Sequence, residues 1–207
     1  MKKFLLSIVA ALLAVPSFAQ LGSGGFSVSQ SNVYYGVRLG MNIATVTGDF
    51  VDVNRKVGLT LGGVIGLKLS DSTPIFLESG LYYAQRGGKK DDVTVSANYL
   101  EIPILLKYGI EMTENISLLP FIGPYFSLGI AGQYKYLDDM GVNYKEGAYK
   151  NTLRRPDMGI KVGCGFEYNM IYLEGGYQFG IANVAKDNPQ DLTAHTGNVF
   201  LNLGVNF

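Results

Sequence analysis

Ten charged side chains lie inside runs where apolar and polar residues alternate: Arg38, Lys68, Arg86, Lys107 and Lys161, against Glu78, Glu101, Asp157, Glu167 and Glu174. When the phase of each run is set from its apolar residues alone, all ten charges fall on the opposite, mixed face. Five cations facing five carboxylates can pair into a network, line a narrow ion path or pass a proton along. Ions removed from water persist only with partners, since stripping one from a buried pair typically costs ~3–5 kcal/mol. The first expectation is therefore a paired polar filling. The second is an ion path lined by Arg38, Glu78, Lys107 and Glu174.

Other chemistry is poorly provided for. With one cysteine (Cys164) and one histidine (His195), neither an intramolecular disulfide nor a zinc site is expected. His195 reads as a loop residue, and no serine stands near it in sequence to suggest a nucleophile and its base. No catalytic, cofactor-binding or metal residue is assigned. Seventeen basic residues balance seventeen acidic ones, which argues against a nucleic-acid partner. Charged residues make up only 16% of the chain, against about 25% in typical globular domains. Glycine (27 of 207), tyrosine (14) and phenylalanine (11) are plentiful and tryptophan is absent, a composition that leans towards an all-β envelope protein.

The elements that must hold these charges are strands. Period-two alternation appears in eight runs, at about 34–44, 58–69, 75–86, 99–108, 116–130, 157–168, 171–181 and 198–207. Most match the ~9–11 residues a tilted strand needs to cross a bilayer. The connections alternate in length. Those at 70–73, 109–115 and 169–170 are short, whereas 45–57, 87–98, 131–156 and 182–197 are long and polar. That threading fits an up-and-down barrel with short periplasmic turns and longer external loops. Tyr35, Tyr83, Tyr108, Tyr168 and Phe179 sit near the ends of the apolar face, where an interfacial girdle belongs.

Periodicity leaves open which face is inside, and a soluble lipocalin-type barrel would invert the arrangement. Strand length, alternating connections, the girdle and the terminal Phe207 favour the membrane form. Phe207 resembles the signal that barrel-insertion machinery reads. Two prolines, Pro120 and Pro124, predict a bulge in the 116–130 strand, because neither can donate to a ladder. Inward glycines, among them Gly36, Gly40, Gly62, Gly66, Gly163 and Gly176, are expected to leave room for bulky side chains reaching over from the opposite wall. On this facing, Ile104→Arg and Leu201→Arg should destabilise the fold, and Asn202→Ser should be nearly silent.

Met1-Lys2-Lys3, an apolar run over 4–15 and Ser17-Phe18-Ala19 together read as a secretory signal peptide cut after Ala19. The expected organisation is a signal peptide at 1–19, a flexible linker at 20–32 and a barrel at 33–207. The fold class is all-β: an eight-stranded antiparallel up-and-down transmembrane β-barrel in the outer membrane of a Gram-negative bacterium. Lys89-Lys90-Asp91-Asp92 and Arg154-Arg155 are loop charges, read as solvated surface, with contact to lipopolysaccharide heads as their second role. The 131–156 loop, with Tyr134, Tyr136, Tyr144 and Tyr149, is the expected partner-binding surface.

Several segments are similar to a known family. Gly36-Val37-Arg38-Leu39-Gly40-Met41-Asn42-Ile43-Ala44, Gly80-Leu81-Tyr82-Tyr83-Ala84-Gln85-Arg86-Gly87 and Gly123-Pro124-Tyr125 resemble the PorT-like family of outer-membrane β-barrel proteins. The stretch from Tyr99 through Leu100-Glu101-Ile102-Pro103 to Tyr108 is the most specific part of the likeness, which covers nearly all of the chain after the signal peptide. The resemblance implies an eight-stranded outer-membrane barrel with no catalytic residues and a link to secretion of other proteins. The partners expected are outer-membrane lipid and lipopolysaccharide, the insertion machinery and secretion-system components. The function expected is non-enzymatic, structural or interactive. A narrow porin is the first alternative and a lipid-modifying enzyme the second.

Overall fold

The computed structural model describes residues 28, 31–48, 54–90, 93–137, 143–147, 154–182 and 194–207. The expected signal peptide at 1–19 lies outside the described residues. Ten strands are present: β1 (Val33–Gly48), β2 (Asn54–Lys68), β3 (Ile75–Lys90), β4 (Val93–Tyr108), β5 (Ile110–Thr113), β6 (Ile116–Leu137), β7 (Asn143–Gly147), β8 (Pro156–Tyr168), β9 (Ile171–Gly180) and β10 (Ala194–Asn206). Among the described residues there is no helix.

Eight long strands form the wall, each antiparallel to its neighbours, with β4 pairing to β6 and β1 to β10. The sheet closes on itself, so no edge is left to satisfy in lipid. The seam is completed by Tyr35 and Phe207, whose backbones exchange hydrogen bonds of 3.1 and 2.8 Å. Short β5 pairs with the start of β6, and β7 pairs with its far end. The β8–β9 turn is Asn169-Met170, with Asn169 at φ 54°, a left-handed conformation that asparagine tolerates well.

Burial decides the facing. Leu39, Leu59, Leu81, Leu201 and Leu203 are all more than half exposed, whereas Arg38 and Glu78 are 0% exposed. In β4 the alternation is complete, with Leu100, Ile102, Ile104, Leu106 and Tyr108 outward and Glu101, Pro103, Leu105 and Lys107 inward. The apolar face is the outside. A soluble barrel built around an apolar cavity would show the reverse pattern, so this one is made for a hydrocarbon surround. Tyr35, Tyr108 and Tyr168 are exposed together at the short-turn end and Phe179 at the other, as a girdle requires; Tyr83 is partly covered.

Three expectations are corrected. First, the 87–98 connection is mostly strand: β3 continues to Lys90 and β4 begins at Val93, paired to the end. Likewise the 131–156 connection contains the end of β6 and all of β7, and His195 lies in β10 opposite Thr47 rather than in a loop. Second, β6 passes Pro120 and Pro124 with an unbroken register to β8. The β4–β6 ladder skips Ile104 and Leu105, where Pro124 has no N–H to give; its register shift lies where Asn98/Tyr99 face Ala131/Gly129, so the extra residue is Ile130 of β6, inside the expected strand but away from both prolines. Pro103 interrupts the β3–β4 ladder in the same way, and the Ser79 hydroxyl donates to its carbonyl at 2.9 Å.

Third, the rings that cover inward glycines come from the adjacent strand, not from across the lumen. Tyr34 is paired directly with Gly66, Tyr82 with Gly62, Phe121 with Gly163 and Phe200 with Gly176. A Cβ on Gly66 would lie 2.1 Å from the Tyr34 ring, and one on Gly62 would lie 2.5 Å from that of Tyr82. Each ring occupies the space that a side chain at the paired glycine would fill, which is how a narrow barrel accommodates so many aromatics.

Candidate functional site

The inward face carries eight of the ten charges as two separate clusters. Nearer the short-turn end, Glu78 forms an ion pair with Lys107 at 2.8 Å and lies 3.6 Å from Arg38, and Lys107 is 3.8 Å from Glu174. All four side chains are 0% exposed. Tyr172 ties them together: its hydroxyl accepts from Lys107 at 2.8 Å, and the Arg38 guanidinium stacks 4.1 Å from its ring centre. The second cluster, nearer the long connections, joins Arg86 to Glu101 and, at 3.0 Å, to Asp157. Lys161 completes it, 3.8 Å from Glu101 and 4.2 Å from the ring of Phe200. Buried cations against aromatic faces gain further attraction where water is absent.

Between the clusters lies an apolar layer of Leu105, Phe121 and Phe200, with the two rings stacked 6.4 Å apart. A second apolar layer, including Val28, Tyr34, Phe76, Leu119 and Tyr172, extends towards the short-turn end. Val28, from the segment expected to be a linker, is 1% exposed there. The remaining two charges belong to neither cluster. Glu167 accepts twice from the Asn206 amide, at 2.9 and 3.0 Å, and no cation among the described residues is within 4.0 Å. Lys68 faces inward at the rim of the short-turn end and is partly exposed.

This geometry binds side chains to one another rather than to a ligand. Among the described residues no group of three or more histidine, cysteine or acidic side chains could hold a metal ion. Cys164 is exposed on the outer face.

Comparison with known proteins fits the architecture. The family model described as an outer membrane protein beta-barrel domain matches residues 18–186. The chain belongs to that family. Its members' location follows: this outer-membrane barrel resides in the outer membrane. No curated protein matches it. Among solved structures it is similar to Ail, the attachment invasion locus protein of Yersinia pestis, at 14% identity and a TM-score of 0.48, over 86% of this chain and 100% of that one. A major outer membrane protein from Thermus thermophilus gives 12% identity and a TM-score of 0.48, over 86% and 100% of the two chains. The outer membrane protease OmpT from Escherichia coli gives 11% and 0.41, over 86% and 99%.

Inside this outer-membrane barrel, sequence reasoning turned the uncharged polar side chains of the last strand inward but gave them no part in the network. Asn198, Asn202 and Asn206 recur every fourth residue on the inward face of β10. Each donates to an inward acceptor: Gln178 at 2.6 Å, Glu174 at 2.8 Å and Glu167 as above. The spacing was visible in the sequence and was the available signal. Tyr34 was also missed; its hydroxyl donates to Glu78 at 2.6 Å. Gln178 links the upper cluster, donating to Glu101 and accepting from Arg86 and Asn198.

Proposed function

We propose that this protein is a sealed, non-enzymatic barrel that serves the outer membrane as structure and as an interaction platform. One observation carries the reading: across the lumen, two ion clusters and two apolar layers leave Arg38, Glu78, Lys107, Tyr172 and Leu105 all at 1% exposure or less. An eight-stranded barrel has an interior just wide enough for its own side chains, and here they meet in the middle. The expected ion path along Arg38, Glu78, Lys107 and Glu174 is therefore read as a closed contact. The β6–β7 hairpin, at the long-connection end of the barrel, is the surface offered to a partner. The PorT-like resemblance supports a partner in protein secretion. An export signal cut after Ala19 belongs to the same reading, and would leave Gln20 as the first residue of the purified protein.

Single-channel recording on the refolded barrel tests the seal. No stable conductance is expected, and a steady unit conductance would overturn the reading in favour of a narrow porin. For the secretion link, the protein's gene is disrupted and export of other proteins is followed; unimpaired export removes the link. Incubation with lipopolysaccharide followed by mass analysis of the lipid should return the lipid unchanged, and a mass change would establish a lipid-modifying enzyme instead.

A further inference from the structure

One cavity, of about 350 Å³, lies at the long-connection end of the wall, among β2, β3, β4 and β6. Its volume is within the roughly 300–1,000 Å³ of ordinary ligand sites. Two irregularities of the sheet flank it: the β2–β3 register shifts between Arg55 and Thr60, and the β4–β6 register shifts at Asn98/Tyr99. A bulge bends its strand and re-aims side chains, and both bulges adjoin the residues that line this space.

The lining is rich in donors. It includes Lys56, Arg86, Gln85, Ser96, Asn98 and Gln133, and no acidic side chain among the described residues. Arg86 is balanced by Glu101 and Asp157, and Lys161 approaches Glu101 as well, so that cluster is neutral as a whole. Arg86 is 6% exposed, yet its Nε has no hydrogen-bond partner among the described residues. Lys56 adds a further positive charge. Its ammonium donates to the Ser96 hydroxyl at 2.5 Å, and no carboxylate among the described residues lies within 4.0 Å of it. An ammonium has three donors, so two remain for a ligand.

We propose that this cavity binds a phosphate group, with Lys56 as its principal cation and Ser96 holding the ammonium in place. A tetrahedral oxyanion presents several acceptors at once, which suits a lining of donors from a lysine, an arginine Nε, amides and a hydroxyl. The site lies where the outer face of the wall changes character. Tyr83 and Leu100 face outward one step below, whereas Gln85 and Asn98, cross-strand partners, face outward at the level of the cavity. That is the height at which hydrocarbon gives way to headgroups. Both a phosphorylated lipid headgroup and a free phosphate therefore have access. The assignment does not depend on the lumen being sealed.

The test uses the full-length barrel refolded in zwitterionic micelles and two probes: inorganic phosphate by equilibrium dialysis, and lipid A with and without its phosphates added to the micelles. Wild-type protein should bind at least one phosphorylated probe and ignore dephosphorylated lipid A. K56Q should bind roughly tenfold more weakly, the loss expected for one charge-assisted hydrogen bond, and K56R should retain binding. Because Lys56 is partly exposed and, among the described residues, its ammonium is anchored through Ser96 alone, both variants should fold, as judged by the mobility of unboiled protein on gels. Uptake of inorganic phosphate identifies a free anion as the ligand, and uptake of lipid A alone identifies the headgroup. The proposal is overturned if wild-type protein binds neither probe, if K56Q binds like wild type, or if binding is lost in a K89Q/K90Q variant and kept in K56Q.

Discussion

Lys107 shows what a single residue does in this lumen. It reaches from β4 to Glu78 on β3, Glu174 on β9 and the Tyr172 hydroxyl, with no water-exposed surface on its side chain. Lys107→Met fills the same volume but leaves two carboxylates competing for Arg38 in a dry interior, so a loss of roughly 3–5 kcal/mol is expected. Lys68, on the same face but at the rim, is exposed enough for water to replace whatever it contacts. Lys68→Met should therefore change stability by no more than about 1 kcal/mol. Denaturant titration of the two variants in micelles checks the contrast, and equal effects would mean that the lumen is wet. Asn202 teaches a related lesson. Its inward position alone suggested that Asn202→Ser would be silent, but its amide donates to Glu174 at 2.8 Å. A serine hydroxyl is too short to make that contact across the strands. The expected loss is roughly 1.5–3 kcal/mol, the usual worth of a hydrogen bond to a charged group, read as an earlier unfolding midpoint. Position in the alternation tells where a side chain points; it does not tell what lies within its reach.

At the scale of the strand, phase could be read directly and ends could not, for one physical reason. Inside the hydrocarbon an outward residue must be apolar, so the period-two pattern of β4 from Leu100 to Tyr108 is unbroken and its inward charges declare themselves. Beyond the hydrocarbon that constraint lapses. Gln85, Ser96, Asn98 and Gln133 occupy outward positions near the long-connection end, and the alternation fades although the ladder continues to Lys90 and Val93. The pattern was a record of lipid contact, not of hydrogen bonding, which is why the barrel wall extends past the long-connection ends where the periodicity stopped. The prolines misled for the opposite reason. A missing N–H interrupts a ladder locally but need not change its register, and β6 keeps its pairing with β8 across both. The lipid-facing stretch makes a sharp prediction. Leu201 is 51% exposed on the outer wall, midway along β10. Leu201→Arg there should cost roughly 2–4 kcal/mol if the position is near the bilayer midplane, whereas Gln133→Arg, exposed at the long-connection end where the outward positions are polar, should be tolerated. Folding yields into vesicles, compared between the two, would expose a wrong placement of the membrane if the order were reversed.

For the whole molecule, the charged network and the proposed seal of the lumen have one consequence that separates this barrel from a protein held together by surface ion pairs. Its pairs are shielded by a wall of backbone and lipid, and the side chains of the lower cluster have no exposed surface. Salt acts through mobile counterions, and raising ionic strength from about 0.01 M to about 1 M shortens the Debye length from ~30 Å to ~3 Å. Exposed pairs lose most of their attraction over that range. Counterions that cannot enter the lumen cannot weaken the pairs inside it. The unfolding midpoint of the refolded barrel in uncharged detergent should therefore shift little between these two conditions, and the K107M variant should be destabilised by the same amount in both. A wet, conducting lumen predicts otherwise, because ions entering it would screen Glu78 and Glu174 and reduce the penalty of losing Lys107 at high salt. Salt dependence of that difference thus reports on the seal in an ensemble measurement, independently of any current recorded across a membrane.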